Sequence, residues 1–109
     1  MSQRLYFLQQ LLEKAPNDAF ALFAAAKEYE QAGDSAEALG YYLRLYQADP
    51  AYVGLYYHLG KLYEKMNRPA DALKAYHEGM LVARQAGDLH ALSELNGARL
   101  ELDDTGGDM

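Results

Sequence analysis

Cysteine and tryptophan are absent from this chain of 109 residues, and Val53, Val82 and Thr105 are its only β-branched residues. The absence of cysteine excludes disulfides, thiolate metal sites and cysteine nucleophiles. Strands favour β-branched residues and a period-two alternation, and the chain has neither. Alanine, leucine, glutamate, glutamine and lysine dominate instead, which favours helix. The length and composition therefore predict a single all-α domain.

Positive charge is also scarce. The chain has 10 basic and 16 acidic residues, for a net charge of −6. Much of the acidity lies near the end of the chain, at Glu101, Asp103, Asp104 and Asp108, with no base beside it. We expect residues 103–109 to form a disordered acidic tail. No basic stripe is present that could bind phosphates, so we expect no nucleic-acid partner.

Long apolar runs are missing as well. No stretch approaches the roughly 20 apolar residues of a membrane span, so we expect no membrane partner. The start, "MSQRLYFLQQLLEK", lacks an uninterrupted apolar segment and a cleavage site of small residues, and therefore does not resemble a signal peptide. We expect a cytoplasmic protein.

Helix-breaking residues divide the chain at regular intervals, into six segments of helical length. They lie at 15–18, 33–35, 49–50, 67–69 and 87–88. Gly33 suits the left-handed position after a helix, and Asp34 can cap the next helix, with Glu37 completing a capping box. Asn67 replaces Gly33 at the next such turn.

The chain matches itself when it is shifted by about 34 residues. Under this shift Pro16 falls on Pro50, Lys27 on Lys61, Tyr29 on Tyr63, Glu30 on Glu64, Ala38 on Ala72 and Tyr42 on Tyr76. A repeat of this length indicates a stack of helix pairs.

The repeat resembles the tetratricopeptide repeat, W-x2-L-G-x2-Y…A-x3-F…P. The first copy has Leu22, Ala25, Ala26, Tyr29, Ala38, Tyr42 and Pro50 at these positions, and the second has Tyr56, Leu59, Gly60, Tyr63, Ala72, Tyr76 and Arg84. The resemblance implies a right-handed α-solenoid of antiparallel helix pairs, with about six helices in one domain over 1–102. Its parts would be a half pair at 1–16, repeats at 17–50 and 51–84, and a capping helix at 88–102.

Five tyrosines belong to this packing pattern and are predicted to be structural: Tyr29, Tyr42, Tyr56, Tyr63 and Tyr76. Ala38 and Ala72 occupy equivalent positions in the two copies of the repeat. Both are small, so we expect close helix contacts there.

Catalytic signatures are absent from the sequence. His58, His77 and His90 are scattered over three segments without metal-binding spacing, and neither a phosphate loop nor a nucleophile motif occurs. We therefore expect no enzyme, no cofactor and no metal site.

A second stripe on the first helix of each pair is the candidate binding surface. In proteins similar to this one, that stripe lines a concave groove that holds a peptide or helix of a partner protein. The candidate residues are Phe20, Phe23, Lys27, Tyr57, His58 and Lys61. The lysines beside aromatic residues favour a ligand that is acidic and apolar. Alternatively, Phe20 and Phe23 could merely cover the N-terminal helix.

A structural role is the competing interpretation. The half pairs at the two ends could stack on other copies of the chain and form homodimers or larger assemblies. The apolar residues concerned are Leu5, Tyr6, Leu8 and Leu12 at one end, and Leu89, Leu92 and Leu100 at the other.

Overall fold

Six helices make up the part of the chain that the computed structural model describes, residues 2–105. They are α1 (Gln3–Lys14), α2 (Ala19–Gln31), α3 (Ser35–Ala48), α4 (Gly54–Lys65), α5 (Pro69–Ala86) and α6 (Leu89–Thr105). No strand occurs within these residues. The predicted all-α repeat fold is confirmed.

Two compact units divide the chain, one ending at Tyr52 and the other beginning at Val53. In the first unit, α2 packs against α1 and α3. In the second, α5 packs against α4 and α6, and α4 also contacts α6. Turns of three residues connect α2 to α3 and α4 to α5, and such short connections make neighbouring helices antiparallel.

The turns have the chemistry that the sequence predicts. Gly33 and Asn67 take positive φ angles of 81° and 58°, so each ends its helix in the left-handed conformation. The Asp34 carboxylate accepts a hydrogen bond of 3.1 Å from the backbone N–H of Glu37. The backbone N–H of Asp34 donates to the carbonyl oxygen of Tyr29, so the main chain satisfies the group that a full capping box would give to Glu37.

The predicted packing stripe is buried within each unit except at Tyr29, which was predicted to be a packing residue but is only partly buried. Leu22, Ala25 and Ala26 lie in the core of the first unit, and Tyr56, Leu59, Gly60 and Tyr63 lie in that of the second. Ala38 and Ala72 are fully buried. A side chain at Gly60 would overlap the ring of Tyr76, and one at Gly79 would overlap the Cβ atom of Tyr56. Small residues therefore permit the close helix contacts.

The end of the chain differs from the expected tail. Helix α6 continues to Thr105, whereas a disordered tail was predicted from residue 103. The remaining tail residues, 106–109, lie outside the described residues. Arg99 explains part of the extension, because its guanidinium contacts the Asp103 carboxylate at 3.1 Å, one helical turn further on.

Candidate functional site

Tyr57 and Lys61 line an open cleft in the second unit. The cleft has a volume of about 150 Å3, and its other wall comes from Glu94, Gly97 and Glu101 of α6. The Lys61 Nζ atom lies 5.7 Å from the centre of the Tyr57 ring, within the range of a cation–π contact. Tyr57 and Lys61, two of the candidate residues on α4, therefore line the same open cleft.

Carboxylates surround Lys61. Its Nζ atom lies 3.9 Å from the Glu64 carboxylate, and Glu94 and Glu101 line the same cleft. One cation among three carboxylates gives a net negative charge. The expectation of an acidic ligand, which rested on the lysines alone, therefore loses its basis in this cleft. His58 lies beside Tyr57 with its ring centre 5.6 Å away in an edge-on arrangement.

The candidate residues on α2 differ in how exposed their side chains are. Phe20 is 60% exposed, whereas the half-buried Phe23 has its ring centre 5.4 Å from that of Tyr52 and 6.2 Å from that of Tyr42. Phe23 therefore belongs to an aromatic cluster with these tyrosines, and Phe20 offers most of its ring to solvent. Lys27 is half-buried.

Glu30 and Glu64, each three residues after a candidate lysine, have a structural role. The Tyr42 hydroxyl donates a hydrogen bond to Glu30, and the Tyr76 hydroxyl donates to Glu64. Burial raises the pKa of both phenols above its usual range, and the adjacent carboxylates add to the effect. The same phenol–carboxylate pair therefore joins the two helices of each repeat.

A cavity that the sequence did not suggest lies in the first unit. Its volume is about 510 Å3, and its lining residues are Ser2, Leu5, Glu28, Tyr29, Gln31, Ala32 and Asp34. The Tyr29 ring stacks on Tyr41 with centres 5.4 Å apart, and the Arg44 guanidinium lies 5.0 Å from the centre of the Tyr41 ring. The Tyr29 hydroxyl accepts a hydrogen bond of 3.1 Å from the Gln9 side chain. We call this cavity the Tyr29 pocket.

The pKa of the Tyr29 phenol is raised above its usual value. Burial raises its pKa most, and Tyr41 raises it further. The Gln9 hydrogen bond acts in the opposite direction, while the carboxylates of Glu37 and Asp34 raise the pKa again. The pocket therefore combines an aromatic wall with nearby carboxylates.

The apolar residues at the two ends correct one expectation. Leu5, Leu8 and Leu12 are buried, in the helix that packs on α2. A helix with one apolar face buries that face against its own neighbour first, so these leucines are not available to another copy. Of the other residues named for this role, Tyr6, Leu89 and Leu100 are exposed and Leu92 is partly exposed; Phe7 on α1 is exposed as well.

Neither a metal-binding cluster nor a membrane-spanning helix occurs in the described part of the chain. No group of three or more His, Asp or Glu side chains could hold a metal ion there. No helix in the same range is long and apolar enough to cross a membrane.

A helix pair recurs after 34 residues, and within each pair small residues and a phenol–carboxylate hydrogen bond join the two helices. These features define a helical-repeat protein. The tetratricopeptide repeat profile matches residues 29–95. A tetratricopeptide repeat domain protein from Salinibacter ruber is 42% identical in sequence. Its crystal structure has a TM-score of 0.77 over 81% of this chain and 98% of that one. Its solution structure has a TM-score of 0.79 over 83% and 91% of the two chains.

A protein from Bordetella parapertussis, 23% identical, shares the fold with a TM-score of 0.81 over 95% of this chain and 90% of that one. No curated protein shows significant similarity to the chain. The chain belongs to the tetratricopeptide repeat family. Members of this family generally serve as protein–protein interaction modules, and the family is generally non-catalytic.

Proposed function

We propose that this chain is a non-catalytic interaction module that binds a peptide or helix of a partner protein in a concave groove. The observation that carries this proposal is the open cleft that Tyr57 and Lys61 line in the second unit. The proposed contacts are Phe20, Phe23, Lys27, Tyr57, His58 and Lys61. Phe20 supports it in the first unit, because a phenylalanine ring that is 60% exposed is free to cover an apolar ligand group.

Tyr57 is the proposed energetic centre of the surface. Its ring is only half-buried, so a ligand can complete the burial, and tyrosine is enriched among the residues that dominate binding. The neighbouring charges have mixed signs, Lys61 against Glu94 and Glu101. We therefore expect an amphipathic ligand that places an apolar side chain on Tyr57 and polar groups at the rim.

The experiment begins with a displayed peptide library that is selected on the intact chain. The affinity of a selected peptide is then measured by calorimetry for the parent, for Tyr57→Ala and for Tyr6→Ala. Tyr6 is a matched control because it is an exposed tyrosine on α1. We expect Tyr57→Ala to weaken binding by more than about 1 kcal/mol, and Tyr6→Ala to have no effect. Equal affinity in all three proteins would place the binding surface elsewhere.

Self-assembly is the second candidate, and exposed apolar residues on α1 and α6 favour it. Phe7 is 58% exposed and Leu89 is 76% exposed, and exposed apolar patches can mark interaction sites. In this case the chain forms homodimers or larger assemblies through its terminal helices. Light scattering over a range of concentrations separates the two candidates. A dimer that Phe7→Glu or Leu89→Glu dissociates would support assembly, and a monomer at all concentrations would exclude it.

A further inference from the structure

The second unit contains an internal pairing of an arginine with a tyrosine. The Arg68 guanidinium lies 4.7 Å from the centre of the Tyr63 ring, and its Nε atom contacts the Asp71 carboxylate at 2.9 Å. The aromatic face and the carboxylate together hold the cation. The Tyr63 ring is therefore contacted by an arginine of the same chain.

The first unit has the same ring and the same carboxylate but lacks that cation. Under the 34-residue shift, Tyr63 corresponds to Tyr29 and Asp71 to Glu37, whereas Arg68 corresponds to Asp34. The charge at this position is thereby reversed. The Asp34 carboxylate caps α3, and its negative charge does not suit the face of an aromatic ring.

A cavity lies beside Tyr29, with a volume of about 510 Å3. Leu5 and Ala32 contribute apolar lining that suits the methylene stem of a long side chain, while Glu28 and Asp34 contribute carboxylates. Arg4 partly neutralises the pocket through its contact of 2.9 Å with Glu28. With Glu37 next to Asp34, the carboxylates still exceed the one paired cation.

We propose that the Tyr29 pocket binds an arginine side chain of a protein partner, in the manner in which Arg68 occupies Tyr63. The planar guanidinium can lie against the face of the Tyr29 ring that Tyr41 does not cover and donate hydrogen bonds to the neighbouring carboxylates at the same time, which the compact ammonium group of lysine does less well. An acidic peptide, a nucleic acid or an anionic membrane would meet the carboxylates instead and is disfavoured. The lining residues of the Tyr29 pocket include none of the contacts of the proposed function.

The probe for this proposal is the capped peptide acetyl-Gly-Arg-Gly-amide, titrated into the labelled intact chain and followed by NMR. We expect saturable shifts at the amides of Tyr29, Ala32 and Asp34, with a dissociation constant of about 1–10 mM, because one cation–π contact and a half-exposed ion pair are weak. The same peptide with citrulline, which keeps the shape without the charge, should bind about tenfold more weakly. Equal binding of the two peptides would overturn the proposal.

Two variants test the location. Asp34→Arg places in the first unit the arginine that the second unit has at the corresponding position, Arg68. The new guanidinium should fill the Tyr29 pocket and abolish the saturable shifts. Glu37→Gln leaves the cap of α3 in place and should weaken binding about threefold, as expected for the loss of an exposed charge pair. Glu13→Gln makes the same change on α1 outside the pocket and should have no effect. Undiminished binding in both pocket variants would refute the assignment.

The groove provides the last control. Tyr57→Ala should leave the arginine peptide's affinity unchanged, since Tyr57 belongs to the second unit. A failure of the groove proposal and a failure of this proposal are therefore separate results. If Tyr57→Ala abolished the shifts at Tyr29, the proposed location of the arginine site would be wrong.

Discussion

Replacing Gly79 with alanine should destabilise the chain, although alanine favours helix. A Cβ atom at this position would overlap the Cβ atom of Tyr56 and lie 3.0 Å from Leu95 Cδ1. The Tyr56 Cβ atom is fixed to the backbone of α4, so relief requires a movement of the helix itself. At Gly60 the obstacle is instead the outer part of the Tyr76 ring, and the first unit accommodates Ala26 at the corresponding position.

The expected size follows from two opposing effects. Alanine gains about 1 kcal/mol over glycine in a helix, and overpacking a closed contact typically costs about 1–3 kcal/mol, occasionally more. We therefore expect Gly79→Ala to lower the free energy of unfolding by up to about 2 kcal/mol, and Gly60→Ala to change it less. Gly97→Ala is the matched control, because a Cβ atom there has no neighbour within 4 Å. It should stabilise the chain by about 0.5–1 kcal/mol.

Urea denaturation followed by circular dichroism measures these differences, with the slope of each transition as a check on its cooperativity. About 4 °C per kcal/mol is the corresponding scale for the melting temperature. If Gly79→Ala and Gly97→Ala moved stability in the same direction by similar amounts, the close contact between α4 and α5 would not exist as described.

Two further predictions concern the same helix pairs. Ala38→Leu and Ala72→Leu should each lower the free energy of unfolding by about 1–3 kcal/mol, since both alanines are fully buried; Ala70→Leu, at an exposed position, is the control in the same denaturation assay, and parental stability in both core variants would show that the register is wrong. The pKa of Tyr76 is raised in the folded chain, so its contribution is complete below the unfolded value of about 10 and is lost as pH rises above it. Tyr76→Phe should therefore lose less stability between about pH 9 and 11 than the parent does, and an unchanged alkaline transition would contradict the raised pKa of this buried phenol.

The fold could be predicted because its determinants are local and repeated. The 34-residue shift, the left-handed turns at Gly33 and Asn67 and the small residues at Ala38 and Ala72 are all present in the sequence. The phenol–carboxylate bonds were also accessible, since Tyr42 and Glu30 recur together one repeat later. They were missed because the 34-residue shift aligned these residues between the copies without pairing a tyrosine with a glutamate within one copy.

Other features depend on contacts that no fixed spacing encodes. Helix α5 has 18 residues where α3 has 14, so the 34-residue register ends before α6. The sequence therefore indicated Tyr57 and Lys61 but not the carboxylates of Glu94 and Glu101 that face them. The error at Leu5, Leu8 and Leu12 arose because an apolar face at the end of a chain was interpreted as an open surface, whereas α2 already covers it.

Differences between the two repeats carry information that their similarities do not. Where both copies keep the same residue, as at Tyr42 and Tyr76, the structure shows a shared packing contact. Where large and small residues change places, as Leu45 gives way to Gly79, the change accommodates a larger residue elsewhere, here Tyr56. The reversal of charge from Arg68 to Asp34 gives α3 a side-chain cap that α5 lacks. The same change leaves the ring of Tyr29 beside a cavity, without the cation that Arg68 provides to its counterpart Tyr63. A tyrosine ring that receives no cation from its own chain can accept one from another molecule.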